Sequence, residues 1–331
     1  MSVLIVGGAG FIGSQTAKHV MDAGLVPVVF DNLSSGHRWA LRWGAFEEGD
    51  LADRAALDRV LARHDVTAVI HFAGYIQVGE SVRDPRKYFQ NNLVSTLNLL
   101  DALVARGVRD VVFSSSAAVY GAPVRVPLDE EHPIEPLSPY GDSKAMVERF
   151  LRWYGEAYGL RWAALRYFNA AGADPGGELG EEHTSESHLI PLALEAALGG
   201  PPLSVFGTDY PTPDGTAIRD YVHVADLADA HVLALRHLEG GGASFAANVG
   251  TGNGHSVREV ITAVERISGR PVVRREVARR AGDSPELVAD PRRLRDLVGW
   301  RPRFPELDVM VEHAHRWRTS SLRLRGVSSA P

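Results

Sequence analysis

The residues best suited to chemistry are Tyr140 and Lys144, which are four positions apart. Four positions is about one helical turn, so both side chains lie on one face of the helix that should begin after Ser138 and Pro139. Only three of the 35 basic residues are lysines, which makes this placement informative. A compact ammonium can bind ribose hydroxyls and lower a phenol's pKa from about 10. The pair indicates an acid–base tyrosine; a packed tyrosine beside a solvent-reaching lysine is the alternative.

A run of three serines, residues 114–116, ends an apolar segment that is typical of a buried strand. Ligands of open α/β sheets bind at the carboxyl ends of the strands. A hydroxyl at Ser116 could share a proton with Tyr140, although such a run by itself is only a polar strand end. We predict that Ser116, Tyr140 and Lys144 form the catalytic set.

A glycine-rich turn, Gly7, Gly10 and Gly13, follows the strand VLIV directly and opens a helix. Glycines let the backbone approach a pyrophosphate closely, and free N–H groups at the helix start attract its charge. The next strand ends at Asp31, about where a carboxylate meets an adenosine ribose hydroxyl. Because that carboxylate repels a 2′-phosphate, the pattern predicts NAD rather than NADP. A plain tight turn is the alternative.

Two further segments should border the same cofactor. Asp50 and Leu51 follow a strand end and suit contact with the adenine, while Phe72, Ala73 and Gly74 follow the next strand. The remaining predicted cofactor contacts, besides Tyr140 and Lys144, are Phe11, Ile12, Asn32, Asn91, Ser114, Tyr167 and Phe168.

Apolar runs without alternation recur through the first half of the chain, and amphipathic segments separate them. The predicted strands are 3–6, 26–30, 66–72, 111–114 and 162–167, and the predicted helices are near 11–23, 53–63, 83–105 and 140–158. Apolar strands separated by helices imply a parallel sheet covered on both faces. We predict an α/β fold, with a doubly wound parallel sheet of the Rossmann type forming an NAD-binding domain over residues 1–168.

After Asn169 the chain becomes rich in glycine, proline and acidic residues, which marks a domain edge. Shorter predicted elements follow: helices near 189–198, 224–238 and 256–268, and strands at 203–206 and 245–249. We predict a smaller mixed α/β substrate domain over residues 169–331. It is interleaved with the first domain, because part of residues 222–250 returns to the first sheet. Residues 320–331 are expected to form a frayed tail.

Composition excludes several classes of function. The chain has no cysteine, so thiol nucleophiles and cysteine-ligated zinc are excluded, and a reducing cytoplasm is the expected compartment. A net charge of −6 gives no field that would gather nucleic acid or an anionic membrane. No window approaches the roughly 18 apolar residues of a membrane span. Neither nucleic acid nor membrane is therefore an expected partner.

Polar clusters elsewhere have structural explanations. His183 and His188 lie among three glutamates, but in a predicted loop and without the H-E-x-x-H order of a helical metal site, so no metal is predicted. His223, Asp226 and Asp229 lie at helical spacing and are expected to cap and stabilise a helix.

Together, the glycine turn, Asp31, Ser116, Tyr140 and Lys144 resemble the extended short-chain dehydrogenase/reductase superfamily. Longer blocks narrow the resemblance to the UDP-glucose 4-epimerase family, in order and over nearly the whole chain: HFAGYIQVGESV, SSSAAVYG, SPYGDSK, LRYFNAAGA, HLIP, FGTDYPTPDGTAIRDYVHVADLADAH and RRAGDSPELVAD. The block DGTAIRDYVHVADLADAH is far more specific than any glycine motif.

The resemblance implies an NAD-dependent isomerase that interconverts UDP-glucose and UDP-galactose. Tyr140 would remove the proton from the sugar C4 hydroxyl as hydride passes from C4 to the nicotinamide. Lys144 would hold the ribose and keep Tyr140 acidic, and Ser116 would assist. The 4-keto sugar would then turn and take the hydride on its other face. The resemblance also implies a homodimer, in which the long helices near 83–105 and 140–158 pair across a two-fold axis.

The same resemblance implies the residues that hold the UDP-sugar. Arg219 and Arg280 match the diphosphate ligands, where bidentate guanidinium contacts suit phosphate. The other implied substrate contacts are Ser116, Tyr140, Asn169, His188, Leu189, Ser204, Val205, Phe206, Asp283 and Leu287.

Two positions depart from one branch of the family. Ile76 stands where that branch has lysine, so a cofactor contact cannot be carried over there. Leu287 stands where the branch has a bulky tyrosine beside the sugar. The smaller side chain should leave room near the sugar C2 and allow some turnover of N-acetylated UDP-hexosamines.

Other functions stay open on the sequence alone. A 4-epimerase of a UDP-N-acetylhexosamine, UDP-glucuronate or a UDP-pentose would share this machinery. A nucleotide-sugar 4,6-dehydratase is less expected, because Ala117 and Ala118 replace the acid and base that such enzymes carry after the serine strand. A non-catalytic NAD-sensing module is also less expected, since it need not keep serine, tyrosine and lysine together.

Overall fold

The computed structural model describes residues 1–280 and 282–324. Within them the strands are β1 (Ser2–Val6), β2 (Val26–Asp31), β3 (Ala45–Glu48), β4 (Val66–His71), β5 (Asp110–Ser116), β6 (Arg161–Tyr167), β7 (Asn169–Ala171), β8 (Leu203–Phe206), β9 (Ile218–His223), β10 (Phe245–Val249), β11 (Gly254–Ser256), β12 (Arg274–Val277) and β13 (Glu286–Leu287).

The helices of the described residues are α1 (Phe11–Asp22), α2 (Arg54–Arg63), α3 (Val78–Arg83), α4 (Pro85–Phe89), α5 (Ser95–Arg106), α6 (Pro139–Tyr158), α7 (Leu189–Ala197), α8 (Val224–Glu239), α9 (Val257–Ser268), α10 (Arg292–Val298) and α11 (Leu307–Leu324). Two 3₁₀ turns (Arg38–Ala40 and Ala117–Val119) and one π-helical turn (Gln90–Val94) complete them. None of these helices is long and apolar enough to cross a membrane.

A large parallel sheet has the strand order β10-β6-β5-β4-β1-β2-β3. The apolar side chains of β1 are almost completely buried, because helices cover both faces of the sheet. Helices α1 and α8 pack on one face, and α2, α5 and α6 pack on the other. The strand order reverses beside β1, where a ligand cleft is expected in such a sheet. This architecture confirms the predicted doubly wound α/β fold.

Three local predictions were wrong or incomplete. The helix predicted near 83–105 is interrupted: Asp84 caps α4, Pro85 begins it, and the π-helical turn separates it from α5. Proline lacks the N–H that a continuous helix needs, so α3 cannot run into α4. Strand β3 was expected only as a strand end before Asp50, and its bounds were not predicted because its four residues include only two apolar side chains. The tail predicted at 320–331 is helical to Leu324, and its remainder lies outside the described residues.

The second half of the chain builds a smaller layer. Strands β7, β9, β11 and β13 form one mixed sheet, and β8 pairs with β12. Helices α7, α9 and α11 pack together over an apolar core that these strands share. Strand β10 instead lies beside β6 in the large sheet, and α8 packs against α1. The predicted boundary at residues 168 and 169 stays a prediction.

Polar side chains around α8 tie the two halves together. The ring of His223 accepts a hydrogen bond from the Ala225 N–H (3.0 Å) and so caps α8. Asp226 accepts two backbone N–H groups of the segment that follows α10, each at 2.9 Å. Asp229 bonds to His19 of α1 at 2.6 Å. The predicted capping and structural roles of this group are therefore confirmed.

Acid should destabilise the fold through buried histidines, of which His231 in α8 is the clearest. Burial lowers the pKa of His231 to about 4, because its ring lies between Phe72 and Tyr167; the hydrogen bond to Leu227 O (2.8 Å) acts in the opposite direction. The folded protein keeps the ring neutral, whereas the unfolded chain takes up a proton below about pH 6.5. Its contribution to stability is thus present above about pH 6.5 and is lost as the pH falls.

We expect the protonation of His231 in the unfolded chain to lower the free energy of unfolding by about 2 kcal/mol between about pH 7 and pH 5. A His231→Phe variant should therefore show a shallower decline by that amount when urea unfolding is measured at each pH. Parallel declines in the two proteins would contradict the prediction.

Candidate functional site

A cleft of about 590 Å³ opens at the carboxyl edge of the large sheet, where β1, β2, β4, β5 and β6 end. The predicted cofactor residues that line it are Gly7, Gly10, Phe11, Ile12, Gly13, Asp31, Asn32, Asp50, Leu51, Phe72, Ala73, Gly74, Asn91, Ser114, Tyr140 and Tyr167. Of the predicted cofactor set, Lys144 and Phe168 do not line it. The fold thus brings nearly all of this set to one cleft.

The glycine turn between β1 and α1 leaves no room for side chains. Gly7 has a positive φ of +77°, and a Cβ there would lie 2.6 Å from the backbone nitrogen of Ala73. A Cβ on Gly13 would lie 2.3 Å from the carbonyl oxygen of Gly7. At the start of α1, Gly10 provides no side-chain cap, so the first N–H groups are available to an anionic ligand. The turn has the properties of a pyrophosphate cradle.

Asp31 ends β2 and faces the same cleft. Its Oδ2 atom accepts a hydrogen bond from the Ala9 N–H (2.9 Å), and its Oδ1 atom accepts one from the Leu33 N–H (2.7 Å). These bonds fix the carboxylate against the glycine turn, yet each oxygen retains a lone pair. The side chain can therefore accept hydrogen bonds from vicinal hydroxyls.

Helix α6 carries the acid–base pair. Ser138 caps this helix by accepting a hydrogen bond from the Gly141 N–H (3.1 Å), and Pro139 is its first residue. The cap fixes where the helix begins, and so it places Tyr140 in the first turn at the cleft. Lys144 follows one turn later, fully buried.

The Lys144 ammonium lies directly behind the phenol. Its Nζ atom donates to the carbonyl oxygen of Ser114 at 2.7 Å and lies 5.9 Å from the centroid of the Tyr140 ring. It also lies 4.9 Å from the Phe113 ring centroid. On the other side, the Ser116 hydroxyl accepts the Ala118 N–H at 3.1 Å and interacts with the phenol. The ends of β5 and α6 therefore hold the three predicted catalytic residues together.

Burial dominates the titration of this pair. It raises the pKa of Tyr140 above its usual value near 10, while the Ser116 hydroxyl acts in the opposite direction. Burial also lowers the pKa of Lys144 to about 8. The sequence predicted a lowered pKa for the Tyr140 phenol, whereas the structure raises that pKa. The reason is that removing the phenolate from water costs more free energy than the neighbouring groups supply by stabilising it. An additional positive charge in the cleft is needed to make this phenol a good base.

The predicted substrate residues fall into two groups. Tyr140 and His188 line the cleft. The others do not, and they are Ser116, Asn169, Leu189, Ser204, Val205, Phe206, Arg219, Arg280, Asp283 and Leu287. The structure therefore separates most of this set from the lining of the cofactor cleft.

Part of the second group converges around β9. Arg219 donates to two backbone carbonyls, both at 2.9 Å, and its guanidinium lies 3.6 Å from Asp283. Leu287 is its register partner in β13. Arg280 lies over the Phe206 ring, 3.8 Å from the centroid. Both guanidinium groups thus belong to the smaller layer that the second half of the chain builds.

Two parts of the cleft were missed from the sequence. One is the cluster of Glu80, Lys87 and Tyr88, in which Glu80 binds the Lys87 ammonium (2.7 Å) and the Tyr88 hydroxyl (2.9 Å). The scarcity of lysine could have indicated Lys87, as it indicated Lys144. The other is the loop of residues 182–188, five of which besides His188 line the cleft; its composition resembles an ordinary surface loop.

Comparisons with known proteins agree with this site. The model of the NAD dependent epimerase/dehydratase family matches residues 3–250. A UDP-glucose 4-epimerase from Rhizobium leguminosarum bv. trifolii is 51% identical over 97% of this chain and 98% of the relative.

Solved structures agree as well. The structure of a UDP-glucose 4-epimerase from Brucella ovis in complex with NAD has a TM-score of 0.93 at 51% identity, covering 95% of this chain and 97% of that one. A UDP-glucose 4-epimerase from Bifidobacterium longum, in complex with NAD⁺ and UDP, has a TM-score of 0.92 at 38% identity, covering 97% of this chain and 98% of that one. The resemblance found in the sequence is confirmed, and the chain belongs to the NAD-dependent epimerase/dehydratase family and, within it, to the UDP-glucose 4-epimerases.

Proposed function

We propose that this protein is an NAD-dependent isomerase that interconverts UDP-glucose and UDP-galactose. The observation that carries the proposal is the position of Tyr140, which lies in the same cleft as the glycine turn and Asp31 and has Lys144 buried behind it. The names of the relatives support the same reaction, and they do not favour the other UDP-sugars. A 4,6-dehydratase is disfavoured because the turn after β5 carries Ala117 and Ala118, which have no acidic or basic side chain.

NAD fits the residues of the cleft. The glycine turn packs so closely on the neighbouring backbone that it has no room for side chains at Gly7 and Gly13, and the first N–H groups of α1 are free to bind the pyrophosphate. Asp31 would hold the adenosine ribose and Lys144 the nicotinamide ribose. When bound, NAD supplies the hydride acceptor and a positively charged ring, which is the charge that the buried phenol requires.

We assign the proton transfers to Tyr140. Its phenolate oxygen takes the proton from the sugar C4 hydroxyl, and it returns the proton once C4 has been reduced again. The Ser116 hydroxyl acts on the phenol by lowering its pKa, and it can orient the C4 oxygen. The Lys144 ammonium is held by Ser114 O and stabilises the phenolate electrostatically.

Inversion at C4 requires that the nucleotide be fixed while the hexose turns. We assign the diphosphate to Arg219 and Arg280, because planar guanidinium groups bind phosphate in bidentate fashion. The contacts of Arg219 with backbone carbonyls preorganise it for that role. Leu287, half-buried beside Arg219, adds no polar group that would hold the sugar ring. Turnover of N-acetylated UDP-hexosamines stays a prediction.

The domain division and the compartment complete the proposal. A boundary near residue 168 is supported by the separate apolar core of α7, α9 and α11. The return of β10 to the large sheet supports interleaving. The absence of cysteine supports a reducing cytoplasm.

The function is tested with purified protein and no added cofactor. We expect UDP-galactose and UDP-glucose to reach the same mixture from either side, measured by proton NMR, and acid to release NAD from the protein. Loss of water from the sugar would instead indicate a dehydratase. Bound NAD without any conversion of UDP-sugars would indicate a sensing module.

We also propose a homodimer built on α3 to α6. These helices and the turn between them expose apolar side chains, among them Val82, Val94, Trp153 and Tyr158, and Trp153 is 59% exposed. We infer that these side chains share one interface, because contiguous apolar surface marks protein interfaces. We expect light scattering to give twice the monomer mass and Trp153→Glu to shift it toward the monomer mass. A monomer mass for the unmodified protein would contradict the proposal.

A further inference from the structure

We propose that Glu181, His183, Glu186 and His188 form a binding site for one divalent transition-metal ion, for which Zn²⁺ is the best fit. All four lie in the loop before α7, and the two histidines line the cleft. One ligand atom from each residue lies within 4.8 Å of the others. No second group of this kind occurs among the described residues. The proposal does not depend on the isomerase reaction.

The spacing of the ligand atoms suits a tetrahedral ion. The Nδ1 atom of His183 lies 3.4 Å from Glu181 Oε1 and 3.2 Å from Glu186 Oε2. Bonds of about 2.0 to 2.1 Å from Zn²⁺ to nitrogen and oxygen place neighbouring tetrahedral ligands about 3.3 Å apart. His188 Nδ1 hydrogen bonds to the same Glu181 oxygen, and that bond would give way to two bonds to the ion.

Both carboxylates are already oriented. Glu186 Oε1 accepts the backbone N–H groups of Ser187 (2.7 Å) and His188 (2.8 Å), which leaves its Oε2 atom facing His183. The Glu181 side chain is only 5% exposed. Outer hydrogen bonds of this kind fix ligand orientation in metal sites.

The loop itself is anchored at two points across the cleft. His37 of the segment after β2 hydrogen bonds to the Glu182 carbonyl through Nε2 at 2.9 Å. Gln77 of the segment after β4 donates to the Ser185 carbonyl at 3.4 Å. The ligands therefore lie in a loop whose backbone is held at both sides, which reduces the ordering that an ion must impose.

Two ion pairs also satisfy these charges, since His188 contacts Glu181 and His183 contacts Glu186. The arrangement goes beyond these two pairs. Here the Nδ1 atoms of His183 and His188 both approach the same oxygen of Glu181, and the two rings lie edge to face with centroids 5.4 Å apart. Convergence of nitrogen and oxygen ligands on one point is the arrangement of a metal centre.

The ligand types select the ion. Two imidazoles and two carboxylates suit a borderline ion such as Zn²⁺, whereas Mg²⁺ and Ca²⁺ take oxygen ligands. Two carboxylates also neutralise the double charge of the ion. The order E-x-H-x-x-E-x-H does not match the motif of a helical metal site, because the ligands come from an irregular loop rather than from one helix face.

The test uses the NAD-containing protein after dialysis against a chelator. We expect calorimetric titration with Zn²⁺ to show one equivalent bound, and Co²⁺ to give the strong visible absorption of a tetrahedral site. His183→Ala and Glu186→Gln should each weaken Zn²⁺ binding by at least 10- to 100-fold, roughly the loss seen when outer-shell partners alone are removed. The matched control is His255→Ala, a histidine in β11 outside the cluster, which should bind Zn²⁺ normally.

NAD content and thermal unfolding show whether each variant keeps its fold. Because two different ligands are replaced, one variant still tests the proposal if the other does not fold. Absence of Zn²⁺ binding by the unmodified protein would overturn the proposal. Equal Zn²⁺ affinity in all the variants, including the control, would also overturn it and would identify adventitious surface binding.

Discussion

Replacing Tyr140 by phenylalanine is expected to lower kcat for epimerisation by about a thousandfold, within the usual range for removal of an acid–base group. The phenol oxygen moves a proton only while C4 changes oxidation state, so KM should change little. The ring keeps its place at the cleft because the cap at Ser138 and the packing of α6 do not involve the hydroxyl. NAD content should therefore stay near that of the unmodified protein.

Tyr154→Phe is the matched control. Tyr154 lies on the same helix, but its hydroxyl donates to Asp101 at 2.6 Å, away from the cleft. Its loss should leave kcat within about twofold, since a side chain outside the site contributes only to local stability. Single-turnover measurements with UDP-galactose, together with acid-released NAD, compare the two variants. Equal kcat in Tyr140→Phe and Tyr154→Phe would remove Tyr140 from the mechanism.

A buried hydrogen-bond network joins β5 to α6 and positions Tyr140 for catalysis. Ser115 donates to Glu148 at 2.5 Å, and Glu148 follows Lys144 by one helical turn. Arg166 of β6 binds both carboxylate oxygens of Glu148, at 2.9 and 2.5 Å. Because Ser115 precedes Ser116, this network fixes the strand end that carries Ser116 relative to the helix that carries Tyr140. Satisfied buried networks of this kind specify a single arrangement.

Much of this site could be predicted because its requirements are local. Gly7, Gly13 and Asp31 are dictated by a turn whose backbone must approach a ligand, and Lys144 follows Tyr140 by one helical turn. The ends of successive parallel strands meet at one edge, so the run ending at Ser116 could be placed beside them. In these cases a pattern over a few residues determines the position in space.

The rest depends on tertiary structure. The loop that carries His183 and His188 has no periodicity, and hydrogen bonds to His37 and Gln77 hold it across the cleft. The direction of the Tyr140 pKa follows from the burial of its phenol, which local pattern does not reveal. Strand β3 is recognised by its pairing with β2 and not by its composition.

The requirement for a turn without side chains also predicts the second large effect, which is a loss of bound NAD. Gly13→Ala is expected to yield folded protein that retains less than about a tenth of the normal NAD, with activity lost in proportion. The new Cβ would lie 2.3 Å from the Gly7 carbonyl oxygen and 2.8 Å from the Gly8 Cα. Gly7 cannot retreat, because it already lies against the backbone of residues 72 and 73. The turn must therefore open, at a cost of about 1–3 kcal/mol for overpacking.

Gly79→Ala provides the comparison that separates this clash from the mere addition of a methyl group. Gly79 lies in α3, and a Cβ there meets no atom within 4 Å. Alanine in a helix is favoured over glycine by about 0.5–1 kcal/mol, so this variant should be as stable as the unmodified protein or slightly more so. Acid-released NAD per protein, circular dichroism and activity with and without excess NAD distinguish the two. If Gly13→Ala kept its full NAD content, the turn could not be the pyrophosphate cradle, and the cofactor would have to bind elsewhere in the cleft.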